Sequence, residues 1–282
     1  MTNFNNTFTT FFRVMLFAFA CLCCMQMTAQ KKSDFRKSKK NNHHAEYVID
    51  IQPDPVARKA RPDRHPLGIK MPMLLGHGSA KQLHGIDVSH YQGRINWDEV
   101  ANDPNVHYVY IKATEGVKTV DDRYEENFRE CKRVGLKVGS YLFFRPHLSA
   151  KAQFDLFMSM VDTKQQDLLP LIDAEAIKGV SVYAFQTRLL ELCDLFEKEY
   201  GKKPLIYTGR NFFERNISGN ERLRAYKYFI AAYTFDEPEL SGGRDFLMWQ
   251  YTATGRVKGI RGNVDMSRFV GNHQLREILY NK

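Results

Sequence analysis

Cysteine, clustered histidine and nucleophile motifs are all scarce in this 282-residue chain. Three of its five cysteines, Cys21, Cys23 and Cys24, fall in one apolar stretch near the N-terminus. The other two, Cys131 and Cys193, lie about 60 residues apart on stretches patterned as helices, with no metal-ligand spacing. Buried free thiols are expected there, rather than a disulfide framework or a zinc site. Of nine histidines only His43 and His44 are adjacent, in a polar Lys-rich segment that favours a solvated pair. A Gly-x-Ser-x-Gly elbow is absent, Ser89 and His90 are sequence neighbours, and His147 falls in a loop, so nucleophilic triads have little support. No internal repeat is visible, which argues against solenoids and propellers.

Net positive charge is also scarce over most of the chain, despite a formal net charge of +9. Residues 31–70 hold eleven Lys/Arg against five Asp/Glu, whereas residues 71–282 carry only +2. A nucleic-acid footprint needs a basic folded face, and none is evident. The basic segment reads instead as a solvated tether able to touch anionic polymers or lipid surfaces.

The chain divides into three parts. Residues 1–29 have the shape of an export signal: Arg13, an apolar run from Val14 to Met27, then Thr28-Ala29-Gln30. Cleavage near Ala29 is the first expectation. A lipoprotein site at Cys21 and an uncleaved anchor are the alternatives, and all three place the body outside the cytoplasm. Membrane contact is expected only through such an anchor. Residues 30–80 read as a basic flexible linker punctuated by Pro53, Pro55, Pro62, Pro66 and Pro72. Residues 81–282 read as the folded domain.

In that domain strand-like and helix-like runs alternate. Strands are expected over 85–89, 108–113, 138–144, 168–176, 204–208, 228–233 and 246–251, with a short eighth over 262–266. Helices are expected over 122–134, 149–161 and 182–200, the first and last closed by Gly135 and Gly201. Such alternation predicts an α/β fold with a parallel sheet. About eight strands in roughly 200 residues suit an irregular, TIM-like (β/α) barrel, with fewer helices in its C-terminal part.

The most informative stretch is Leu168-Leu169-Pro170-Leu171-Ile172-Asp173-Ala174-Glu175-Ala176. An apolar strand ends in two carboxylates one residue apart, and strand alternation turns both to one side. Burying unpaired charge is costly unless it is used. Other strand ends carry Asp87, Glu115, Tyr141, Tyr207, Tyr233, Trp249, Gln250 and Asp265. In α/β barrels this rim is where active sites collect. Carboxylates among aromatics suit glycoside hydrolysis, because apolar surroundings and a neighbouring acid keep one carboxyl protonated as a donor. Asp87, Asp173, Glu175 and Asp265 equally suit a hard divalent cation, which leaves metal-assisted hydrolysis as a competing chemistry.

At these residues the sequence resembles the family 25 glycoside hydrolases, the lysozyme-type N-acetylmuramidases. The matching pieces, in order, are Gly85-Ile86-Asp87-Val88-Ser89-His90-Tyr91-Gln92-Gly93, Ile111-Lys112-Ala113-Thr114-Glu115-Gly116, Leu171-Ile172-Asp173-Ala174-Glu175, Ile206-Tyr207-Thr208, Trp249-Gln250-Tyr251 and Val264-Asp265. The resemblance implies cleavage of the β-1,4 bond between N-acetylmuramic acid and N-acetylglucosamine in peptidoglycan strands, by a monomer without cofactor or metal. Glu175 would be the general acid. Asp173 would stabilise the positive centre or orient the substrate's acetamido group as nucleophile. Asp87 and Asp265 would flank the pair, Tyr141, Tyr207 and Trp249 would line the sugar site, and Glu115 would contact substrate at the rim. One departure stands out: members commonly carry Tyr-His-Phe where this chain has Tyr141-Leu142-Phe143. A module that binds peptidoglycan without cleaving it is the remaining alternative.

Overall fold

The computed structural model describes residues 83–280, so the expected leader and linker lie outside the described residues. Along the chain run β1 (His84–Val88), α1 (Trp97–Ala101), β2 (Tyr108–Glu115), β3 (Thr119–Val120), α2 (Tyr124–Arg133), β4 (Lys137–Phe143) and α3 (Ala150–Met160). There follow β5 (Leu171–Asp173), α4 (Val182–Tyr200), β6 (Leu205–Gly209), α5 (Arg210–Asn216), α6 (Glu221–Arg224), β7 (Lys227–Ala231), β8 (Met248–Gly255) and β9 (Val264–Phe269). The sheet order is β1-β9-β8-β7-β6-β5-β4-β2-β3, and β1 also pairs with β2. Eight strands thus close into a barrel, with β3 attached to β2 as a short edge.

The barrel is mixed rather than wholly parallel. Pairing is parallel from β1–β2 round to β7–β8, but β9 runs antiparallel to both β8 and β1. Connection length accounts for the difference. A parallel return needs a crossover of about a dozen residues or more, usually helical. Only residues 256–263 separate β8 from β9, so the chain can only fold back on itself. Local signals set other boundaries: the Ser181 side chain caps α4 by accepting from Ala184 N, and Gly201 ends it in the left-handed conformation at φ 65°.

Strand alternation separates two cores. Outward residues such as Ile86, Ile111, Leu142, Ile206, Ile230 and Trp249 pack with the helices, while Tyr108, Tyr110, Leu205, Phe229, Met248 and Phe269 fill the barrel interior. Two inward glycines make room for the tyrosines. A Cβ at Gly85 would lie 2.2 Å from Tyr108 Cε2, and one at Gly139 would lie 2.6 Å from Tyr110 Cε1. The hydroxyls are matched as well, Tyr108 with Ser267 Oγ at 3.0 Å and Tyr110 donating to Leu169 O at 3.1 Å. Leu168 and Ile278 pack into this same interior layer, so the lower barrel is a solid plug. Cys131 and Cys193 are buried free thiols.

Candidate active site

Above the plug the barrel opens into a cavity of about 390 Å³, lined by Asp87, Lys112, Tyr141, Phe143, Asp173, Glu175, Tyr207, Tyr233 and Asp265, with Tyr91 among the remaining lining residues. Regular strand pairing at the acidic stretch spans only three residues and stops at Asp173. The extended path continues nonetheless, because Phe144 N donates to Asp173 O and Ala174 N donates to Tyr207 O, both at 2.9 Å. Alternation therefore persists: Asp173 and Glu175 line the cavity, and Ala174 packs into the outer core. Both acids are only 8% exposed.

Asp87 and Asp265 enter from the opposite wall. They are register partners across the antiparallel β1–β9 pair. Gln250 fixes Asp87 from the side. Its Nε2 donates to Asp87 Oδ2 at 2.9 Å, while its Oε1 accepts from Tyr207 and Tyr233 hydroxyls at 2.9 and 2.8 Å. With donors on its oxygen and an acceptor on its nitrogen, the amide has one orientation.

Crowding four carboxyls into a poorly hydrated space raises their proton affinity. Burial, followed by the charge of Asp87, lifts Glu175 to about 7. Burial and then the charge of Glu175 push Asp173 well above the usual carboxylate range. Asp265 rises to about 8 through burial and the charges of Asp87 and Glu175. Burial also raises Asp87, but its hydrogen bonds from Gln250 and Asp265 limit the rise to about 6. Asp173 Oδ1 is buried and accepts no hydrogen bond among the described residues. The cavity therefore offers a proton donor, a neighbouring acid with an unused acceptor, and aromatic walls. Among the described residues no three His, Cys, Asp or Glu side chains converge as metal ligands.

Two residues expected in the sugar site lie elsewhere. Trp249 points into the outer core, 2% exposed, where its Nε1 donates to Ala232 O at 2.6 Å and Arg268 covers its ring. The period of β8 explains this: if Gln250 faces inward, Trp249 and Tyr251 must face outward. Glu115 does not line the cavity either, and instead accepts from Lys112 Nζ at 2.6 Å and from Arg145 Nε at 3.1 Å. Those bonds outweigh the upward effect of its partial burial and hold Glu115 below the usual range. Lys112 is one lining residue that sequence reasoning passed over, although an ammonium inside the apolar strand Tyr108-Val109-Tyr110-Ile111 was a readable signal. Leu142 packs in the outer core between the inward Tyr141 and Phe143, so the departure at that position does not touch the cavity.

A closed barrel with paired buried acids at its open end, walled by tyrosines, has the construction of a glycosidase. Comparison with known proteins specifies which one. The family profile described as glycosyl hydrolases family 25 matches residues 86–260, more than half of the chain, which therefore belongs to that family. The chain is 32% identical over 210 residues to lysozyme M1 of Streptomyces globisporus, covering 70% of this chain and 71% of the other. It is 36% identical over 193 residues to the Escherichia coli protein YegX, covering 67% and 70%. Among solved structures, the bacterial lysozyme from Streptomyces coelicolor superposes with a TM-score of 0.62 at 30% identity, covering 71% of this chain and 96% of that one.

Proposed function

We propose that this family 25 glycosidase is a muramidase that cleaves the β-1,4 bond between N-acetylmuramic acid and N-acetylglucosamine in peptidoglycan. One observation carries the proposal: Asp173 and Glu175 sit one residue apart on the same side of a buried strand end, inside an open cavity. Glu175, with its proton affinity raised to about 7, donates that proton to the leaving glycosidic oxygen. Asp173 turns its unpartnered Oδ1 to the substrate, where it accepts from the acetamido N–H of the sugar and orients that group for attack on the anomeric carbon. The route is then substrate-assisted and retaining. Asp87 and Asp265 hold sugar hydroxyls and raise the proton affinity of Glu175, and Tyr141 and Tyr207 shape the wall around the ring. The relatives named lysozyme support the substrate assignment.

We further propose that residues 1–29 export the chain, that residues 30–80 tether the domain near an anionic wall, and that it acts as a monomer outside the cytoplasm. Purified peptidoglycan incubated with wild type, Glu175→Gln and Asp173→Asn tests the catalytic roles. Release of reducing ends by wild type and a loss of about a hundredfold or more in Glu175→Gln is the expected pattern. Near-wild-type release by Glu175→Gln would remove Glu175 from its role.

A further inference from the structure

One aromatic at the cavity mouth is held more firmly than an exposed side chain needs. Tyr91 is 71% exposed and lines the cavity, three residues beyond the end of β1. A single exposed aromatic is ordinary on a protein surface, so exposure alone says little. What sets Tyr91 apart is its support. Its ring lies against the imidazole of His90, with centroids 4.1 Å apart and planes at 36°. Asp121 fixes His90 in turn: the backbone N and the Nδ1 of His90 both donate to Asp121 Oδ2, at 3.0 and 2.7 Å. The Asp121 carboxylate is wholly buried, and its other oxygen accepts from Arg123 N at 3.0 Å. The turn is also closed on both sides of the tyrosine. Tyr91 N donates to Ser89 Oγ at 3.3 Å, and Ser89 N donates to Gln92 Oε1 at 2.9 Å. Gln92 Nε2 donates to Asn263 O at 3.4 Å, in the turn that leads to Asp265.

We infer that Tyr91 is a sugar-stacking residue of an outer subsite, with His90 and Asp121 as the positioning residues that hold its ring at the cavity mouth. Its ligand is the C–H face of an N-acetylhexosamine, next to the part of the same glycan strand that enters the cavity. The inference rests on the muramidase reading for the identity of that strand. A cavity of about 390 Å³ encloses only the sugars around the scissile bond, so their neighbours in the strand lie across the mouth, where Tyr91 is. The cavity wall offers carboxyl groups for sugar hydroxyls, while the exposed ring offers an apolar face for the apolar side of a pyranose. A ring already fixed by its neighbours loses little rotamer freedom when a ligand covers it, so most of the contact free energy goes into affinity. Tyr183 gives the contrast, because it is 79% exposed and does not line the cavity.

Titration calorimetry of the full chain carrying Glu175→Gln, in which cleavage is blocked, tests this with soluble peptidoglycan glycan strands freed of their stem peptides. In that background Tyr91→Ala should weaken binding about fivefold, and Tyr91→Phe, which keeps the ring, should stay within about twofold. Tyr183→Ala is the control and should bind unchanged. His90→Ala should weaken binding by less than Tyr91→Ala does, and combining the two should add nothing to Tyr91→Ala alone. A structural role for His90 independent of Tyr91 would add its own loss. Because Tyr91 is mostly exposed, its truncation leaves the core intact and the chain folded. Undiminished binding by Tyr91→Ala overturns the inference, as does a loss of equal size in Tyr183→Ala or in Tyr91→Phe. Absence of binding in the Glu175→Gln chain overturns it together with the substrate reading. Binding by that chain without cleavage by wild type counts against the muramidase reading alone.

Discussion

Asp87 and Asp265 face each other as register partners across the antiparallel β1–β9 pair, and each carboxyl lines the cavity. Two carboxyls so placed in a poorly hydrated wall resist being charged together, and the charge of Asp87 adds to burial in raising Asp265. The short β8–β9 turn that makes the barrel mixed is what puts Asp265 opposite Asp87, so chain topology sets the repulsion between the two acids of this wall.

Stability should fall as pH rises through neutrality. Glu175 titrates near 4.5 when unfolded and about 7 when folded, so the folded chain binds the proton more tightly between those values. Proton binding favours the native state below that window, and the advantage is lost as pH rises through it. Glu175→Gln should therefore be more stable than wild type at about pH 8, by about 3 kcal/mol, and equal to it near about pH 4. Denaturant titrations at the two pH values measure the difference. Equal stability at both would contradict a raised proton affinity for Glu175.

Activity should have an alkaline limb from the same group. The free-enzyme profile, read as kcat/KM, should fall about tenfold per pH unit above about 7, as Glu175 loses the proton it donates. A profile flat to about pH 9 would exclude Glu175 as the acid.

Gln250 joins both walls of the cavity, and its loss should be felt in stability and turnover together. Gln250→Leu leaves the Tyr207 and Tyr233 hydroxyls and Asp87 Oδ2 without their partner, which should destabilise by about 3 kcal/mol. Tyr233→Phe removes one of two donors and should cost about 1 kcal/mol. Thermal unfolding of the two variants gives the comparison, and a smaller loss in Gln250→Leu than in Tyr233→Phe would refute the network.

Trp249 should behave as a core residue. Trp249→Phe should leave KM within about twofold of wild type, while Trp249→Ala should lose about 3–5 kcal/mol of stability. A large rise in KM for a stably folded Trp249→Phe would place the indole in contact with sugar.

The residues read correctly from sequence were those governed by local period. Alternation through Leu171-Ile172-Asp173-Ala174-Glu175 placed both acids on one side, and the cap at Gly201 closed α4 where its left-handed backbone requires. What escaped was non-local. Nothing within Val264–Phe269 says that this strand runs antiparallel, because that follows from the length of the turn before it and from closure onto β1. Glu115 was placed on the rim as a strand-end acid, but Lys112 and Arg145 take up its carboxylate. Trp249 was placed in the sugar site by the family resemblance, yet the inward phase of β8 belongs to Gln250. The paired acids were legible, and the polar frame that sets their charges was not.

Mass spectrometry of the fragments from purified peptidoglycan digested with wild type, scoring the sugar at the new reducing end, tests the central claim most directly. N-acetylmuramic acid at that end, absent when Glu175→Gln replaces wild type, is the predicted result. N-acetylglucosamine at that end, or fragments of equal yield from Glu175→Gln, would contradict it.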